Sequence, residues 1–153
     1  MTIRKLGHYS IRTADLESSR HFYTDVLGLT EGFRPPFPFP GIWLYLPGDQ
    51  SDYGVVHIIG IDPHDQQGLV DYLGDRDPAS LAGTGTLDHV AFMATGLRGM
   101  HKKLAELKLP FTERTVPSLG LHQVFLTDPS GVTVELNYPA EEAQSLAVAG
   151  TTH

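Results

Sequence analysis

Apolar and polar positions alternate over residues 3–12, with Tyr9 and Ile11 on one face and His8, Ser10 and Arg12 on the other. That period of two marks a strand. Next, Leu16, Ser19, Phe22, Tyr23, Val26 and Leu27 follow at helical spacing, with Asp15 placed to cap and Gly28 to stop the helix. Three short strands are expected over 29–33, 42–46 and 54–60, interrupted at 34–41 by prolines that a helix or a central strand excludes.

Residues 62–86 change character, being rich in Pro, Gly, Asp and Gln, and read as a linker or lid with a helical turn over 69–73. The earlier pattern then restarts. Val90 and Phe92 face one way and Leu87, His89 and Ala91 the other, and Leu97, Met100, Leu104 and Leu107 form a helical stripe. Strands are expected over 111–115, 121–126 and 131–138, with a turn at Asp128-Pro129-Ser130-Gly131. The chain thus divides into a module over 1–61, the linker, a second module over 87–139 and a tail over 140–153, expected to be loose. The fold class is α+β, built as two βαβββ modules.

The repeat places candidate chemistry. His8 and His89 lie 81 residues apart in the first strand of each module, and the same offset carries Leu16 onto Leu97. His57 and Glu135 lie in the last strands, 49 and 46 residues later respectively. Glu135 shares a strand face with Thr133 and Asn137. Taken singly, each histidine is more often a hydrogen-bonded strand residue than a ligand. Four at matched positions point to one shared metal.

Composition narrows the partners. A net charge of -7, with 11 scattered basic residues, argues against a nucleic-acid backbone as partner. With no cysteine, disulfides, thiolate ligands and a cysteine nucleophile are excluded. No leader or membrane span is read in the sequence, so a cytoplasmic protein acting on a small molecule is expected.

The stretch from His8 to Leu29, HYSIRTADLESSRHFYTDVLGL, resembles the opening of the vicinal oxygen chelate superfamily of glyoxalases, resistance proteins and extradiol dioxygenases. The stretch from Val124 to Glu135, VFLTDPSGVTVE, resembles its closing motif. The resemblance spans roughly residues 4–138 and implies a cupped, barrel-like metal site and a homodimer. It implies that His8, His89 and Glu135 hold one divalent metal, with Fe, Ni, Zn and Mn all compatible with two imidazoles and a carboxylate. His57 falls where glyoxalase I has a fourth ligand and where dioxygenases have an acid-base residue. Both roles stay open.

The resemblance implies a glyoxalase-like lyase or isomerase, in which the metal binds two substrate oxygens and stabilises an enediolate while Glu135 or His57 moves the proton. Arg12 matches an arginine used for an anionic substrate group. Trp43, with Tyr45, Phe37 and Phe39, is expected to wall the substrate, and Phe125 to face it. A ring-cleaving dioxygenase is the alternative. Phe125 stands where that motif has tyrosine, and no histidine falls at 116–118, His122 lying too close to Asp128 to substitute. A small-molecule-binding resistance protein is the third reading.

Overall fold

A computed structural model describes residues 1–2, 6–48, 54–85 and 87–149. The chain divides into two compact units, Met1–Gly83 and Thr84–His153. In the first, β1 (Tyr9–Thr13) leads into α1 (Leu16–His21), which continues as a π-helical turn over Phe22–Val26. Then come β2 (Thr30–Gly32), β3 (Gly41–Tyr45), β4 (Val56–Gly60) and α2 (Gln67–Leu73), before a short 3-10 turn at Pro78–Leu81. The second unit runs β5 (Val90–Met93), α3 (Leu97–Glu106), β6 (Thr112–Val116), β7 (Leu121–Thr127), β8 (Thr133–Pro139) and α4 (Ala140–Ala149).

The two sheets have the same topology, in the orders β1-β4-β3-β2 and β5-β8-β7-β6. In each, the first strand runs parallel to the last and the remaining pairs are antiparallel. The α+β arrangement of two βαβββ modules read from the hydrophobic pattern is the one observed. Two strands start later than expected, β1 at Tyr9 and β4 at Val56, and residues 3–5 of the expected first strand lie outside the described residues.

Local chemistry explains the helix starts. Asp15 accepts from the Ser18 hydroxyl at 2.6 Å and the Ser18 amide at 3.0 Å, and these bonds hold its carboxyl below the usual carboxylate range. Helix α3 has Gly96 at its N-cap, with φ at +87°, so no local side chain can cap it. The carboxylate of Glu142 on α4 does so instead, accepting from Gly96 N at 3.0 Å and Leu97 N at 2.6 Å.

That contact corrects one expectation. The segment from Ala140, expected as a loose tail, forms α4 through residue 149. Alanine and glutamate are strong helix formers, Ala140 is buried, and the long-range cap ties the helix down. Tyr138, two residues before the helix begins, is pushed up to about 12 by burial and by the nearby Glu142 charge. We expect Glu142→Ala to cost about 0.5–2 kcal/mol, the range for a lost N-cap. Urea unfolding measures it, and an unchanged midpoint would show the cap to be dispensable.

The linker is also more ordered than a loop. Helix α2 packs on the proline-rich segment so closely that a Cβ on Gly68 would sit 2.0 Å from the Pro38 carbonyl oxygen. Among the described residues no helix is long and apolar enough to cross a membrane.

Candidate active site

The hydrogen-bond register shows how the repeat places its polar residues. His57 on β4 lies opposite Ser10 on β1 and Trp43 on β3. Glu135 on β8 lies opposite Ala91 on β5 and Phe125 on β7. His57 and Glu135 therefore occupy the same node of two equivalent sheets. His8 and His89 each sit one residue before the first strand of their unit.

In the second unit, Glu135 is buried and its two oxygens have different work. Oε1 accepts from Gln123 Nε2 at 2.8 Å and from Asn137 Nδ2 at 2.7 Å. Oε2 lies 3.2 Å from His89 Nε2, while His89 Nδ1 is 2.7 Å from the Asp88 carboxylate. Two amides fix the carboxylate plane, and Asp88 favours the tautomer with its proton on Nδ1. Outer contacts of this kind orient metal-binding groups. Two donors about 2.1 Å from one divalent ion stand roughly 3.0–3.4 Å apart at octahedral or tetrahedral angles. The observed 3.2 Å fits such a pair.

In the first unit, His57 is clamped. Its ring stacks on Trp43 at 3.9 Å and 4°, and on His8 at 3.8 Å and 19°. Nitrogen lone pairs lie in the ring plane, so two nearly parallel stacked rings keep theirs in separate, nearly parallel planes. His8 and His57 do not converge on a common ion in this arrangement.

Both histidines line a cleft of about 450 Å³. Phe37, Phe39 and Trp43 line it, and Tyr72 from α2 joins them 5.2 Å from both phenylalanine rings. Tyr45, expected in the same wall, instead packs in the core with its hydroxyl donating to the Phe33 carbonyl at 2.6 Å. Arg34 supplies the cleft with a cation, lying 5.0 Å and 5.2 Å from the Phe37 and Phe39 ring centroids and donating to the Phe39 carbonyl at 2.8 Å. Partial burial pulls its guanidinium below the usual arginine value. Arg12 points elsewhere: it donates to Ser80 and lines a separate pocket of about 370 Å³ with Leu69, Leu73 and Arg76.

A family model, the glyoxalase/bleomycin resistance protein/dioxygenase superfamily, matches residues 5–136. The chain belongs to this superfamily. Glyoxylase I 4 of Arabidopsis thaliana is 25% identical over 137 residues, covering 88% of this chain and 70% of that protein. The fold is shared with the fosfomycin resistance protein FosX of Listeria monocytogenes, at a TM-score of 0.63 and 16% identity over 92% of this chain and 98% of that one. It is shared too with TnmS3, an antibiotic binding protein from Streptomyces sp. CB03234, at a TM-score of 0.60 and 17% identity over 91% and 98%. The superfamily thus spans metal-dependent enzymes such as glyoxalase I and proteins that bind small molecules.

The sequence pattern singled out the histidines and Glu135 but not the groups around them. Gln123, Asp88, Arg34 and Tyr72 carried no signal, because each is identified by what it faces across a sheet or a cleft. Asn137 was legible only as a residue on the Glu135 face. Phe125 lies opposite Glu135, with the Arg114 guanidinium 5.2 Å from its ring centroid and Arg114 Nε donating to Gln123 at 2.7 Å. We expect Gln123→Leu to weaken divalent-metal binding about 10–100-fold, the usual cost of losing an outer contact. Competition with a chromophoric chelator measures this, and unchanged affinity would remove Gln123 from the site.

Proposed function

We propose that the protein is a divalent-metal-dependent lyase or isomerase of glyoxalase type, acting by proton transfer on a small oxygenated substrate. The residues assigned to hold the ion are His89 and Glu135, with His8 added from its matched place in the sequence repeat. The observation that carries this reading is the amide-locked Glu135 with its second oxygen turned to His89 Nε2, at a spacing that suits two ligands of one ion. When bound, the ion supplies Lewis acidity to two neighbouring substrate oxygens.

The chain's own residues do the rest. His57, clamped between Trp43 and His8, is the group that takes and returns a proton at a carbon beside a carbonyl. Its fixed ring holds the reacting nitrogen in one place. The aromatic wall and Tyr72 keep water from the substrate, and Arg34 attracts an anionic substituent. The Phe125 side chain brings no hydroxyl to the Glu135 node, which favours proton transfer over ring cleavage.

The test loads metal-stripped protein with Ni(II), Zn(II), Mn(II) or Fe(II) and follows two reactions. Turnover of a hemithioacetal or another carbon acid, without oxygen uptake, is expected. Catechol-dependent oxygen uptake confined to the Fe(II) form would replace the isomerase with a ring-cleaving dioxygenase. Ligand affinity indifferent to His8→Ala and Glu135→Ala, with no turnover, would leave a binding protein.

A further inference from the structure

The second unit carries another cluster of ligating groups, set apart from Glu135 and unused by the proposed reaction. His101 on α3, Glu113 on β6 and His122 on β7 converge, with one donor atom from each lying within 4.8 Å of the others. His101 Nε2 is 2.6 Å and His122 Nε2 3.2 Å from the same Glu113 oxygen, Oε2. His122 is buried, and its Nδ1 lies 2.8 Å from the Thr115 hydroxyl. That hydroxyl can accept a hydrogen bond from Nδ1, so an ion that displaces the proton shared between Nε2 and Glu113 meets an Nε2 lone pair facing inward, as in a metal-binding histidine with an outer partner.

Burial alone would push the Glu113 carboxyl up, but hydrogen bonds from His101 and His122 outweigh it and hold the group below the usual carboxylate range. The Glu113 carboxylate is thus flanked by two imidazoles. His101 and Glu113 are partly exposed, so an ion has a route in.

We propose that His101, Glu113 and His122 form a second divalent-cation site, of the zinc class, that staples α3 to the β6–β7 hairpin. Two nitrogens and one carboxylate oxygen suit Zn(II) or a neighbouring borderline ion, with a fourth position left for water. Donors about 2.0–2.2 Å from zinc sit roughly 3.4 Å apart, so the present spacings adjust by side-chain rotation. The elements that carry them are held by their own packing: Leu97 and Leu104, one turn before and after His101 on α3, are buried, and β6 pairs with β7 from Thr112 to Val116. Binding displaces any proton shared in the cluster, so affinity falls as pH drops.

The test uses the full chain stripped by chelator, with Zn(II) alone as probe. In the Glu135→Ala chain, which removes the other proposed centre, calorimetry is expected to find one Zn(II) per chain, and saturating Zn(II) to raise Tm. Adding His101→Ala is expected to abolish both effects. Glu113→Gln, nearly isosteric, is expected to weaken binding at least tenfold, which covers the case of a fold disturbed by the alanine. Zn(II) binding in the Glu135→Ala chain that ignores both His101→Ala and Glu113→Gln would overturn the site, as would no binding there at all. Failure of the proposed active centre shows differently, as a stoichiometry that Glu135→Ala leaves unchanged.

Discussion

Glu135→Ala is expected to remove metal from the proposed active centre and to lower turnover on the order of 10³-fold or more, since the Lewis acid supplies several kcal/mol of charge stabilisation. The size follows from how the carboxylate is held. Glu135 is buried with one oxygen fixed by Gln123 and Asn137 and the other 3.2 Å from His89 Nε2. Alanine also strands two buried amide donors, at a cost of about 1–3 kcal/mol each. Reduced stability alone could therefore mimic reduced activity. Glu135→Gln separates the two, because its amide oxygen can take the place of Oε1 before both Gln123 and Asn137 while the charge that holds the ion is removed. Turnover measured beside urea unfolding resolves them: a glutamine variant that is folded but inactive and metal-poor is expected, whereas one that keeps wild-type turnover would exclude Glu135 as a ligand.

His57→Phe is expected to lower turnover about 10²–10⁴-fold, the typical contribution of a positioned general base, without changing metal stoichiometry. Phenylalanine keeps an aromatic ring between Trp43 and His8, so the stack at 3.9 Å and 3.8 Å has a replacement and the cleft keeps its wall. The readout discriminates between the two roles open to this residue. A ligand would take metal affinity with it when lost; a general base would take the acid-side limb of the pH–rate profile and leave affinity intact. Reduced metal content in the His57→Phe chain would make His57 a fourth ligand.

Much of this was legible because strand and helix periods differ and the chain repeats them. The alternation at Tyr9 and Ile11, and again at Val90 and Phe92, located the opening strands of the two units. Matched spacing then pointed to His57 and Glu135, which the sheet register puts at equivalent nodes. The failures have physical causes. Helix α4 was hidden because its anchor is Glu142 on the α3 N-terminus, 45 residues away in sequence. Arg12 alternates onto the His8 face, yet its long side chain leaves that face for Ser80. The trio of His101, Glu113 and His122 spans a helix and two strands, so no local period links its members.

The most direct test of the active centre is equilibrium dialysis with Zn(II) in the His101→Ala background, where only the proposed active centre should bind. One Zn(II) per chain is expected, lost alike in His8→Ala, His89→Ala and Glu135→Ala and retained in His57→Phe. Full occupancy surviving either His8→Ala or His89→Ala would contradict the assigned ligand set.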